Sequence, residues 1–174
     1  MIDIFYFSLI LLLSLSLRRI SYNLYMIFLL PGTIAHELSH FIIGLITLAS
    51  PTKFSLIPYK NKDSNYWVLG SVEFNNLNMF NAIFTGFAPL SLIYVAYRIY
   101  MNINLNQFLM IFIIFQLIIS SIPSRQDLKI VLSYKLGIIF YIILIIGGIY
   151  LNENYDINYL LNNIKFIGNR FFQV

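Results

Sequence analysis

Residues 20–50, ISYNLYMIFLLPGTIAHELSHFIIGLITLAS, form the apolar segment on which the predicted architecture rests. Glu37 is the only Asp, Glu, Lys or Arg residue in it. A helix of about 20 apolar residues spans a bilayer, so this stretch is long and apolar enough to do so. Proline has no N–H to donate, and we therefore expect a kink or a restart at Pro31 and an end at Pro51.

Four other apolar stretches extend this architecture through the chain: residues 4–17, 79–97, 104–122 and 136–150. They predict an all-α polytopic membrane protein with about five transmembrane helices. The loop 51–78 is different, because strand-forming residues at both of its ends flank a polar turn at 59–65. This pattern predicts a membrane-associated β-hairpin between the second and third helices.

The composition agrees with a membrane protein. Of the 174 residues, 59% are hydrophobic and 10% are charged, whereas a soluble domain carries about 25% charged residues. We therefore expect neither a soluble domain nor a disordered chain. The chain has no cysteine, which excludes disulfides and thiolate metal sites. Its net charge of +4 comes from scattered residues, and we expect no nucleic-acid partner.

Residues 1–150 are predicted to form one transmembrane domain, followed by a tail at 151–174. Apolar residues recur at helical spacing in the tail, which favours an interfacial helix. A disordered tail is the alternative.

The chemistry-bearing motif is His36-Glu37-Leu38-Ser39-His40, which contains the only two histidines of the chain. Residues four apart share one face of a helix, so both imidazoles can bind one cation. Glu37 lies beside that face and can act as a general base. Placing ionisable side chains within a membrane costs free energy. This cost favours a functional site over side chains that only form hydrogen bonds with neighbouring helices.

A catalytic zinc ion usually has three protein ligands, and no third histidine is present. Asp127 is the first candidate, because it follows the fourth apolar segment and Pro123 can break the helix there. The alternative for Asp127 is a helix cap or a surface ion pair. Glu73 is the second candidate, because a β-hairpin can fold back toward the site.

These motifs together resemble the site-2 protease family of intramembrane zinc metalloproteases. The resemblance rests on His36–His40 in an apolar segment, on Pro123 and Asp127 later in the chain, and on Gly86-Phe-Ala-Pro89 between them. It covers about residues 20–130. It departs from the family where the usual Asn-x-x-Pro reads Ser120-Ser-Ile-Pro123 and where Leu128 follows the aspartate. Ser120, Ser121 and Ser124 are the candidates to replace the missing asparagine.

The resemblance implies a minimal metalloprotease without PDZ or CBS domains. His36, His40 and Asp127 would bind one Zn²⁺, and Glu37 would be the catalytic base. The substrate would be a transmembrane segment of another protein, unwound and held by strand addition. Candidate substrate-binding residues are Gly70, Ser71, Val72, Pro89 and Ser124.

The resemblance also implies a multi-pass protein of a prokaryotic cell membrane with a cytoplasmic N-terminus, which the distribution of Lys and Arg weakly favours. The oligomeric state is not predicted. Three alternatives stay open. The first is a non-enzymatic scaffold with a structural metal, the second is a transporter with a transit metal site, and the third is a membrane metallopeptidase that cuts a surface tail.

Overall fold

Helices dominate the computed structural model, which describes residues 2–56, 59–60 and 67–154. The chain divides into two compact units with a boundary between Lys135 and Leu136. The helices of the first unit are α1 (Ile2–Ile20), α2 (Tyr22–Ile46), α3 (Ala82–Gly86), α4 (Ser91–Asn102), α5 (Gln107–Ser120) and α6 (Arg125–Ser133). Helix α7 (Lys135–Asn154) begins at the boundary. The predicted helical architecture is confirmed, whereas the predicted tail beyond residue 154 lies outside the described residues.

Four short strands follow α2, namely β1 (Pro51–Ser55), β2 (Tyr59–Lys60), β3 (Trp67–Val68) and β4 (Ser71–Phe74). Strand β1 pairs antiparallel with β4, and β2 pairs antiparallel with β3. Lys53 lies opposite Glu73, and the register shifts between Pro51 and Lys53. The predicted antiparallel pairing between the second and third helical segments is confirmed. The first two residues of the turn predicted at 59–65 instead form β2, and the rest of that turn lies outside the described residues.

Among the described helices, α2 is long and apolar enough to cross a membrane by itself. A second crossing exists if α5 and α6, which are bent by 43° at their junction, count as one span. The apolar part of α7, Lys135–Tyr150, is shorter. A buried core helix of a soluble protein can have the same length and composition. The five predicted transmembrane helices therefore stay a prediction.

The structure corrects the predicted boundaries of two apolar segments. The segment 79–97 is not one helix, because α3 is followed by a 3₁₀ turn at Ala88–Leu90 before α4 begins. Pro89 lies in that turn, and its missing N–H prevents α3 from continuing. Helix α2 ends at Ile46, before Pro51, and Leu48 and Ser50 then adopt positive φ values of 58° and 53°.

Helix α2 continues through Pro31 without the predicted restart. A proline inside a helix frees backbone carbonyls one turn earlier, and neighbouring helices can satisfy them. Here the Gln116 amide of α5 donates to the Phe28 carbonyl at 2.8 Å. The contact joins α2 to α5 close to the motif.

Close packing of α2 on α5 depends on Gly32. A Cβ added to Gly32 would clash with the Ser120 hydroxyl and would lie 2.8 Å from the Gln116 backbone oxygen. The hydroxyl can rotate away, but the backbone oxygen moves only with α5. Gly32 therefore sets the separation of the two helices that carry His36 and Ser120.

Replacing Gly32 with Ala is expected to lower the free energy of unfolding by about 1–3 kcal/mol, as overpacking does in other cores. The matched control is Gly147→Ala in α7, because open space surrounds the Cβ position of Gly147. That change should be neutral or stabilise the helix by about 0.5–1 kcal/mol. Thermal unfolding in detergent, followed by circular dichroism, measures both. Equal shifts for the two variants would contradict the proposed role of Gly32.

Candidate metal centre

The two histidines lie one turn apart on α2, and their Nε2 atoms are 3.2 Å from each other. Each Nδ1 lies against a backbone carbonyl of another helix. His36 Nδ1 is 2.6 Å from the Ser120 oxygen, and His40 Nδ1 is 2.7 Å from the Thr85 oxygen. A carbonyl can only accept, so each Nδ1 carries the hydrogen and donates it. Each Nε2 then has a free lone pair.

Asp127 joins the histidines from α6. Helix α5 ends at Ser120, and the chain turns through Pro123 before α6 starts at Arg125. The Asp127 carboxylate is buried and places Oδ1 3.1 Å from His40 Nε2 and Oδ2 3.3 Å from His36 Nε2. The break at Pro123 thus turns Asp127 inward, as the sequence predicts.

Ser124 holds Asp127 in this position. The Ser124 backbone N–H donates to Asp127 Oδ2 at 2.6 Å, and the Asp127 N–H donates to the Ser124 hydroxyl at 3.2 Å. Ser124 is the N-cap residue of α6 and Asp127 is the N3 residue of the same capping box, so Asp127 belongs both to the capping box and to the histidine group. The cap fixes the carboxylate before any ligand binds.

The geometry of the three side chains fits a small divalent cation. With both imidazoles neutral, two lone pairs and a carboxylate face one another, an arrangement that either a proton on one ring or a cation bound between the three groups would stabilise. Bonds of about 2.0–2.1 Å in a tetrahedral site place ligand atoms roughly 3.3 Å apart. The two Nε2 atoms are 3.2 Å apart, Asp127 Oδ2 is 3.3 Å from His36 Nε2, and Asp127 Oδ1 is 3.1 Å from His40 Nε2. Within the described residues, no fourth His, Asp or Glu joins this group.

Glu73, the alternative third ligand, lies elsewhere. Its side chain is 58% exposed and pairs with Lys53 at 2.8 Å across β1 and β4. The prediction that Glu73 could fold back onto the histidines is therefore wrong. Strand β4 directs this carboxylate toward its neighbouring strand instead.

Glu37 lines a cavity of about 890 Å³ that His36, His40 and Asp127 also line. Gly70 packs directly on it, because a Cβ on Gly70 would lie 2.5 Å from Glu37 Cγ and 3.1 Å from Oε1. Any larger residue at position 70 would displace the Glu37 side chain. The absence of a side chain at Gly70 therefore permits this close approach to Glu37.

Four of the predicted substrate-binding residues line this cavity: Gly70, Ser71, Val72 and Ser124. Pro89 does not, since it is fully buried in the 3₁₀ turn between α3 and α4. The prediction that Pro89 contacts substrate is therefore not supported by its position. Of the serines considered for the missing asparagine, Ser120 and Ser124 line the cavity. Ser121 is buried and its hydroxyl donates to the Ile118 carbonyl.

The backbone carbonyls of Ser120 and Thr85 orient the histidines, a role that the sequence does not predict. Gly86 lets α3 approach α6 closely, because a Cβ there would lie 3.0 Å from the Asp127 backbone oxygen. This approach brings the Thr85 carbonyl, His40 and Asp127 together. Every residue has a carbonyl, so the sequence does not indicate which carbonyls orient the histidines. Gly86, which permits the close approach of α3 to α6, is the sequence feature most closely related to this role.

Comparison with protein-family models, with curated proteins and with solved structures finds no match for this chain.

Proposed function

We propose that this protein is a membrane-embedded zinc metallopeptidase similar to the site-2 proteases. The observation that carries the proposal is the convergence of His36 Nε2, His40 Nε2 and the Asp127 carboxylate within 3.3 Å of one another. Three ligands with no fourth in the described residues match a catalytic site, which keeps one position open, better than a closed structural site. A divalent ion held there would polarise a peptide carbonyl and make bound water more acidic.

Glu37 performs the proton transfer in this proposal. It stands outside the three-ligand group and lines the same cavity. Its carboxylate takes a proton from the attacking water and gives it to the leaving amine. Gly70 supports this role, because its close packing restricts the Glu37 side chain to the cavity.

The cavity wall formed by residues 67–72 is suited to an extended peptide. A helical substrate has its carbonyls hydrogen-bonded internally, so it must unwind before hydrolysis. Backbone groups near Ser71 and Val72 can then pair with it as an added strand. The substrate class is a transmembrane segment of another protein, and the enzyme would lie in a prokaryotic cell membrane with its N-terminus in the cytoplasm. Helix α2 supports the membrane placement by its length and apolar composition.

Metal removal tests the proposal against a purely structural role. Purified protein in detergent should contain about one zinc ion per chain, as a single three-ligand site requires. A chelator should stop hydrolysis of an apolar peptide, and added Zn²⁺ should restore it. A transporter or scaffold would bind the ion and show no hydrolysis in either state. Hydrolysis that persists after zinc is removed would refute the metal-dependent mechanism.

A further inference from the structure

Two cationic residues of α6, Arg125 and Lys129, line the same cavity as His36 and Glu37. They lie one turn apart, so they share a face of the helix. Both are exposed. In the described part of the chain, no carboxylate lies within ion-pair distance of either one.

Helix stability does not explain this placement. Two like charges at positions i and i+4 repel each other. Arg125 is also the first residue of α6, where the helix dipole disfavours a cation. The two charges therefore destabilise the helix that carries Asp127, unless a negative group in the cavity compensates.

The carboxylates already in the cavity do not supply that compensation. Asp127 is held by both histidines and by Ser124. Glu37 lies under Gly70. With a divalent ion bound, the charges of the ion, Asp127 and Glu37 sum to zero when both histidines are neutral. Arg125 and Lys129 then leave the cavity with an excess of two positive charges.

We infer that Arg125 and Lys129 select a substrate segment that carries acidic side chains next to the bond to be cut. This inference rests on the proposed function, because it takes the cavity to be the substrate site. An extended peptide lying between residues 67–72 and α6 would place alternate side chains toward α6. An acidic side chain there would relieve the repulsion between the two cations. An anionic lipid headgroup is a competing occupant, but both cations line the cavity that holds the metal ligands, and this favours the peptide.

Photo-crosslinking with a hydrolysis-deficient Glu37→Gln protein tests the inference without requiring cleavage. The probes are three synthetic apolar peptides of one length, which carry two Glu, two Gln or two Lys beside a photoreactive residue. The protein is held in phosphatidylcholine nanodiscs, so no anionic lipid competes. The Glu peptide should bind about 3- to 10-fold more tightly than the Gln peptide, as two partly exposed ion pairs allow. Salt should reduce the difference.

The double change Arg125→Gln/Lys129→Gln should abolish this preference and leave the zinc content unchanged. The matched control is Arg18→Gln/Arg19→Gln, which removes two exposed charges from the last turn of α1, outside the cavity. It should keep the preference. Equal binding of the Glu and Gln peptides would overturn the inference and leave the proposed function intact. The inference would also be overturned if the double variant lost affinity only for phosphatidylglycerol vesicles. Failure of all three peptides to crosslink within residues 67–72 would count against both proposals.

Discussion

Replacing Glu37 with Gln should lower the rate of peptide hydrolysis by about 10²–10⁴-fold, the usual contribution of a general base. The amide has nearly the same shape as the carboxylate, so the packing under Gly70 is preserved. It cannot accept a proton from water at neutral pH. Glu37 is also not one of the three grouped ligands, so the zinc content should stay at the wild-type value.

The matched control for this variant is Glu73→Gln. It makes the same chemical change at a side chain that is 58% exposed and paired with Lys53. Hydrolysis should stay within a factor of two or three of the wild-type rate, because an exposed ion pair contributes about 0–1 kcal/mol. Release of a fluorescent fragment from an apolar peptide measures the rate, and metal analysis of the same sample measures zinc. Wild-type turnover in Glu37→Gln would rule out the base role.

Local patterns in the sequence predicted the helical parts of this fold better than its breaks. The spacing of His36 and His40 predicts one helix face, and α2 places both rings there. Pro123 predicts a break before Asp127, and α5 and α6 are bent by 43° across it. Pro89 also indicates a helix break, but the apolar composition of residues 79–97 predicts one helix over that segment. Pro31 also predicts a break, yet α2 continues through it, and Gln116 of α5 donates to the Phe28 carbonyl in the preceding turn.

The candidate site was predictable where it depends on side-chain chemistry and not where it depends on the backbone. Ligand number and residue type left Asp127 and Glu73 as alternatives, although Pro123 favoured Asp127. The structure separates them, because Asp127 contacts both histidines and the strand register pairs Glu73 with Lys53. The carbonyls of Ser120 and Thr85 orient the histidines, but any residue could supply them. The contact of Gly70 with Glu37 is tertiary, since the two residues belong to different elements.

Replacing Asp127 with Ala should reduce zinc affinity by more than the roughly 10–100-fold that follows loss of an outer-shell partner. The change removes a proposed ligand and the only carboxylate in the three-residue group. Hydrolysis should fall in parallel, because two neutral imidazoles bind zinc more weakly than two imidazoles and a carboxylate. His40→Ala should have a similar effect, since His40 Nε2 contacts the same carboxylate at 3.1 Å.

Asp127 also belongs to the capping box of α6, so a loss of metal could arise from a frayed helix rather than from a missing ligand. Ser124→Ala separates the two effects. It removes the hydroxyl that accepts from the Asp127 N–H, while the Ser124 backbone N–H can still hold Oδ2. Both variants should lose about 0.5–2 kcal/mol of stability, as other cap substitutions do. Only Asp127→Ala should lose most of its zinc in a competition titration with a chromogenic chelator. An equal loss of zinc from Ser124→Ala, in which the carboxylate is intact, would mean that loss of the capping box is enough to explain the result of Asp127→Ala.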